Sequence, residues 1–316
     1  MDLNALIEQL NSLHDLDRLV ARLIARGPEV IPLLEQFLLR GKPSVVYQPR
    51  RAAVEILGAL GAKDVIAGYL RLNKEIPDLA TRFAEQAVED AAALELAAFR
   101  SADALEILLR IALPSPQPGM VEALGRFVCP DAIPYFIRAL EDDFCRSAAE
   151  EALRALGRQT EMALVTSSRL ALPSIEDERS SSKRRRVRSL ELLAELGPSA
   201  ETWPILRCFL RDSEPGAVVA VSKMAATVGD RDDRIIAVDR LLQVLPDADW
   251  YLRDEIKECL INLYPDARSQ VEACIAQKSV LPEPERLMDL SLRVLLAVYH
   301  ATAPGEGPNS AHESHS

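Results

Sequence analysis

The sequence predicts an all-α protein, an α-solenoid of stacked antiparallel helix pairs, roughly nine pairs in all. Three observations predict it. Alanine and leucine dominate a chain of 316 residues in which aromatics make up only 5%, a composition that favours helices over sheets. A helical stretch opened by arginine recurs along the chain, and a second helix type with an early proline alternates with it. Length alone would suggest about two domains of ~150 residues. A solenoid grows in one dimension, however, so one array over residues 1–302 is expected instead.

The recurring stretch reads RRAAVEILGALG (50–61), RSAAEEALRALG (146–157), RVRSLELLAELG (186–197) and RDEIKECLINLY (253–264). Arg50, Arg146, Arg186 and Arg253 open the four copies, and Glu55, Glu151, Glu191 and Glu258 follow five positions later. Apolar residues such as Ala149, Ala152, Leu153 and Leu156 recur at three- and four-residue intervals, which gives one buried stripe per helix. Gly61, Gly157 and Gly197 close three of the copies, where a left-handed residue ends a helix at little cost. The alternating type reads PEVIPLLEQFLLR, PDAIPYFIRALED and SAETWPILRCFLRD. Pro32, Pro134 and Pro204 stand early in these helices, where a missing N–H is harmless and the fixed φ starts the turn. Asp131 and Ser199 are the expected N-caps.

In chain order, residues 1–26 form an N-terminal helical cap, and residues 40–48 (RGKPSVVYQ) lengthen the turn of the first clear unit. Residues 81–99 continue the array without an opening arginine, and 114–119 (PSPQPG) form a proline-rich connector. Residues 173–182 (PSIEDERSSS) form a polar connector expected to be mobile. Residues 216–230 carry Val218 in place of the arginine. Residues 283–302 form the C-terminal cap helix, and 303–316, which lack apolar periodicity, are expected to be disordered.

Segment 129–157, CPDAIPYFIRALEDDFCRSAAEEALRALG, resembles a HEAT repeat of the short bacterial variety named after phycobilisome lyases. YQPRRAAVEILGALG (47–61) is similar to its second helix and GPSAETWPILRCFLRD (197–212) to its first. The likeness covers most of residues 16–277. It implies a HEAT-like superhelix and, for the arginine column, a ladder of structural ion pairs. For function it implies little, because such repeats serve scaffolds, adaptors and a few enzymes alike.

Composition narrows the chemistry. The formal charge of −11 speaks against a general nucleic-acid binder. Of four histidines, His300, His312 and His315 lie in or near the tail, which removes most imidazole-based metal and acid–base chemistry. Five cysteines, Cys129, Cys145, Cys208, Cys259 and Cys274, show no CxxC spacing and fall in apolar helical patterns. They read as buried free thiols of a reducing compartment. Cys145 is the one cysteine beside a repeated cation, Arg146, which would lower its pKa, but a buried apolar cysteine is the commoner case at that helix position. No apolar run approaches the ~20 residues of a membrane span, and the acidic N-terminus lacks a targeting pattern, so a cytoplasmic protein is expected. No P-loop, GxSxG, HExxH or GxGxxG occurs, and acidic pairs such as Asp142-Asp143 and the group Asp230, Asp232, Asp233 fit helix capping. Trp203 and Trp250, both at helix starts, read as packing residues. No catalytic residue, cofactor or metal site is expected.

Two features suit a partner. The repeated arginines align along one edge of the superhelix, either pairing with carboxylates such as Asp142, Asp212 and the repeat glutamates or recognising an anion. The run Lys183-Arg184-Arg185-Arg186-Val187-Arg188 places cations at a helix start, against the helix dipole. It is either a solvated face balanced by Glu176, Asp177 and Glu178 or a docking corner for an anionic segment, tunable by phosphorylation of Ser180, Ser181 or Ser182. The expected function is therefore a non-catalytic scaffold or adaptor that presents a concave helical surface to a partner protein with an acidic or phosphorylated segment. Arg50, Arg51, Arg146, Arg184, Arg185, Arg186, Arg188 and Arg253 are the candidate contacts. Two alternatives stay open: a bilin-lyase-type subunit acting on a partner protein, which the repeat family's name implies, and a nucleic-acid-binding HEAT-like protein.

Overall fold

The structure, a computed structural model, describes residues 2–72, 75–112, 115–171, 177–264, 266–280 and 282–302, with the side chains of Pro284 and Leu287 left aside. The described residues fold into helices and connecting turns. Their contacts divide the chain into two compact units, Met1–Ala163 and Leu164–Ser316. The first unit holds α1 (Leu3–Glu8), α2 (Leu16–Arg26), α3 (Ile31–Arg40), α4 (Gln48–Ala59), α5 (Lys63–Leu70) and α6 (Leu79–Ala98). It continues with α7 (Ala102–Ile111), α8 (Pro118–Gly125), α9 (Ile133–Ala139) and α10 (Arg146–Leu156), and the division falls within α11 (Glu161–Arg169). The second unit holds α12 (Ser180–Leu196), α13 (Trp203–Leu206), α14 (Pro215–Val228) and α15 (Arg231–Val244). After these come α16 (Trp250–Asn262), α17 (Arg268–Ser279), α18 (Glu283–Met288) and α19 (Leu290–Thr302).

Each unit repeats one packing rule. In the first, α3 packs on α4, α5 on α6, α7 on α8 and α9 on α10, while α4, α6, α8 and α10 pack successively as an inner row. In the second, α12, α14, α16 and α19 form the corresponding row, with α15 and α17 packed against it. The inner helices are the arginine-opened stretches and their arginine-free counterparts, so repetition in sequence is repetition in packing. Their apolar stripes are sealed: Ala53, Leu57, Val88, Ala92, Ala149, Leu153, Val221, Ala225, Ile256 and Leu260 are inaccessible to solvent. Truncating a buried leucine of this kind removes ~2–5 kcal/mol.

The local signals operate as expected. Pro32, Pro134 and Pro204 fall in the first turns of α3, α9 and α13, and Gly61, Gly157 and Gly197 take φ of +75°, +61° and +73°. Asp230 caps α15, accepting the N–H of Asp233 at 2.8 Å, and Asp142 accepts those of Phe144 and Cys145. Ahead of α13 the Ser199 carbonyl receives the N–H groups of Thr202 and Trp203, and its hydroxyl lies 3.2 Å from that of Thr202. Both connectors are shorter than expected, because α8 already starts at Pro118 and α12 at Ser180. Residues 113–114 and 172–176, like the tail 303–316, lie outside the described residues.

After α6 and α8, which no glycine of positive φ closes, Arg100 and Val128 take φ of +48°. Val128 is β-branched and 48% exposed, so its side chain adds strain and little packing. Val128→Gly is expected to raise stability by roughly 0.5–1 kcal/mol. An unchanged or lower denaturation midpoint would show that the valine side chain offsets its strain.

Candidate functional site

The arginines of the repeated register turn largely inward. Arg50, 4% exposed, donates from Nε and Nη2 to the two carboxylate oxygens of Glu85 on α6, at 3.1 and 2.9 Å. Its Nη1 reaches the Gly41 carbonyl at 3.0 Å, and the Tyr69 hydroxyl donates to the same Glu85 at 2.7 Å. Burial and the Glu85 charge push the Tyr69 phenol well above its ordinary value. In the second unit Arg186 lies between Glu178 and Asp212. Its Nε is 3.0 Å from Asp212 Oδ2 but off line for a hydrogen bond.

The remaining members are engaged more locally. Arg146 pairs with Asp143 at 2.7 Å rather than with Asp142, whose carboxylate is taken by backbone N–H groups. Arg253 donates to the Pro246 carbonyl at 3.3 Å. Arg51 and Arg188 form short-range pairs with Glu55 and Glu191. The glutamate five positions after each repeated arginine is not its partner, because five residues along a helix turn the side chain onto another face.

The basic run is not a solvated face. Ser182, Arg185, Arg186 and Ser189 share the buried side of α12, at the spacing that gathers residues on one side of a helix. Arg185 donates to the Leu170 carbonyl, and Lys183 pairs with Asp177 and Glu214 at 2.7 and 3.3 Å. Arg184 alone of the three consecutive arginines is exposed.

Cys145 is buried as expected, and its thiol is pushed up to about 12, by burial first and by Asp142 second, rather than lowered by Arg146. Cys259 is buried too, whereas Cys129 and Cys274 are only half-buried and Cys208 is exposed. Trp203 packs as expected, at 6% exposure, whereas Trp250 is 80% exposed and stands edge-on to Tyr251.

A recess that the repeat pattern does not announce lies in the first unit. Four elements build this cleft of about 710 Å³: Leu70, Arg71 and Leu72 at the end of α5, Arg82 and Glu89 on α6, Ile107, Arg110 and Ile111 on α7, and Gln117 and Met120 at the start of α8. The spacing of Ile107, Arg110 and Ile111 places them on one helix face. Arg82 holds Glu89 at 3.4 Å and Arg110 holds the exposed Glu106 at 2.5 Å, whereas Arg71 has no ion-pair partner among the described residues. Leu72, Leu79 and Phe83 extend apolar surface outward, at 42%, 66% and 62% exposure.

The floor of the cleft is anchored from behind. Asp90, next to Glu89, accepts the N–H of Gly119 at 2.9 Å at the start of α8, and the Tyr135 hydroxyl accepts that of Gln117 at 3.0 Å. A Cβ on Gly119 would lie 2.4–2.7 Å from Asp90 atoms, backbone included, so α6 and α8 meet this closely only with glycine there. Burial raises the Asp90 carboxyl from 3.8 to about 6, against the pull of the Gly119 hydrogen bond. A raised carboxyl stabilises the fold fully below its unfolded value, and that contribution fades as pH rises through about 6. Asp90→Asn is therefore expected to gain on wild type between pH 4 and pH 7, by on the order of 1–3 kcal/mol. Parallel stability–pH curves for the two proteins would refute this.

Fold and recess together define an all-α protein of stacked helix pairs with an arginine-rimmed cleft in its first unit. No family model matches the sequence, and no curated protein matches it. Among solved structures it is similar to human deoxyhypusine hydroxylase in complex with glycerol, at 19% identity over 86% of this chain and 96% of that one, with a TM-score of 0.29. That score is too low for residues to be equated between the two. Among the described residues no three His, Cys, Asp or Glu side chains gather as a metal site, and no helix is long and apolar enough to cross a membrane.

Proposed function

We propose that this chain is a non-catalytic scaffold or adaptor of the HEAT-like kind, which holds a partner protein on its helical surface. The observation that carries this reading is the cleft between α5 and α8, with its apolar floor and arginine rim, together with Leu79 and Phe83, which α6, one of the helices that build the cleft, leaves exposed. Large apolar side chains left in water beside a recess mark interaction surfaces more often than isolated ones do. The buried arginines Arg50, Arg185 and Arg186 hold the fold, which leaves partner contact to exposed groups.

The test compares proteins that co-purify with wild type and with Leu79→Asp/Phe83→Asp, quantified by mass spectrometry at matched thermal stability. At least one stoichiometric partner is expected to be lost from the variant. An identical set of bound proteins would remove the cleft from the function.

A further inference from the structure

The charge of the cleft identifies what it takes. We infer that the recess between α5 and α8 is a docking site for a carboxylate-rich peptide segment with an apolar anchor residue, an inference that rests on the scaffold reading above. Arg71, Arg82 and Arg110 come from three different elements and line one recess, against the single lining carboxylate of Glu89. Glu89 is already engaged by Arg82. The neighbouring Glu106 is likewise taken by Arg110, so the positive surplus of the lining rests on Arg71, which has no ion-pair partner among the described residues. On a chain whose formal charge is −11, that local surplus favours an acidic segment at the recess.

The remaining lining sets the second requirement. Leu70, Ile107, Ile111 and Met120 supply an apolar floor, which a free inorganic anion would leave uncovered and a leucine or phenylalanine side chain would cover. Guanidinium groups accept carboxylates in a two-pronged fit, so the rim suits aspartate and glutamate flanking such an anchor. The recess, at about 710 Å³, has room for an anchor side chain and its neighbours. Nucleic acid fits less well, because its backbone needs cations along a track rather than around one apolar floor.

Fluorescence anisotropy with three labelled hexapeptides, EDLFDE, QNLFNQ and EDSSDE, tests the two requirements separately. The wild-type chain is expected to bind EDLFDE at least about tenfold more tightly than either control, with affinity falling as salt rises. Arg71→Glu/Arg110→Glu, at two exposed positions, is expected to weaken EDLFDE by about tenfold or more without lowering the melting temperature. Arg268→Glu, on the second unit, serves as the control and should change nothing. Equal binding of QNLFNQ, an unaffected double variant, tighter binding of an oligothymidine, or no binding at concentrations on the order of 1 mM would each overturn the inference. The two readings fail separately. If EDLFDE does not bind while Leu79→Asp/Phe83→Asp still strips a partner, only the peptide chemistry is wrong. If that variant strips nothing, the scaffold reading falls and anisotropy alone decides whether the cleft takes an acidic peptide.

Discussion

Glu85→Ala is expected to destabilise the first unit by about 3–5 kcal/mol, the usual cost of removing one partner from a buried ion pair. Arg50 would keep its charge at 4% exposure with only the Gly41 carbonyl left, among the described residues, to receive its N–H groups. The Tyr69 hydroxyl would lose its bond to Glu85 as well. The pair is not thereby a large net stabiliser, because taking both charges out of water offsets most of their attraction. Replacing the whole cluster, Arg50→Met/Glu85→Leu/Tyr69→Phe, should accordingly recover most of the loss. Urea denaturation followed by circular dichroism reads both effects. A loss below about 1 kcal/mol for Glu85→Ala, in the range of exposed pairs, would mean that water reaches the pair.

The second unit has its counterpart in Trp203. The indole Nε1 donates to Asp233 Oδ2 at 2.7 Å, and Asp233 is 2% exposed with the Arg207 Nε at 3.5 Å. Trp203→Ala is expected to cost ~3–5 kcal/mol through the cavity it leaves. Trp203→Phe keeps most of the volume and should cost about 1–3 kcal/mol, the price of a buried acceptor deprived of its donor. Trp250→Ala, at a position 80% exposed, should stay within about 0.5 kcal/mol of wild type. Thermal melts of the three variants form one comparison. Equal losses at positions 203 and 250 would contradict the packing described here.

These two tryptophans show where sequence reasoning stops. Both stand at helix starts, and nothing in the pattern around Trp250 distinguishes it from Trp203. The difference comes from Asp233, thirty residues away, which reaches Trp203 because the turn that continues α13, Arg207–Arg211, packs on α15. The basic run is similar. Its composition suggests a solvated face, yet helical periodicity sends Arg185 and Arg186 inward, where the Leu170 carbonyl, Glu178 and Asp212 receive them. Asp212 was a foreseeable partner from the stacking of repeats. Glu85 was not, since it lies in α6, a helix that lacks an opening arginine.

The cleft was less legible still. Arg71 and Arg110 stand seven residues after Asp64 and Asp103, the register of Asp131 and Arg138 in the alternating helix type, but only the packing of α5, α6, α7 and α8 brings them together with Arg82. An exposed Leu79 or Phe83 carries no mark in a sequence where apolar residues ordinarily read as core.

By itself, the sequence determined the helices, their alternation in two kinds, the prolines that start them and the left-handed glycines that end them. These are properties of the chain over a few residues, set by backbone sterics and by the 3.6-residue period that gathers one face. Tertiary structure alone decided which carboxylate each buried arginine meets, which tryptophan is covered and where a recess remains open. Those outcomes depend on how far each helix is offset against its neighbour, and a shift of one turn, about 5.4 Å, would exchange the partners of Arg50 and Trp203 while leaving each local pattern intact.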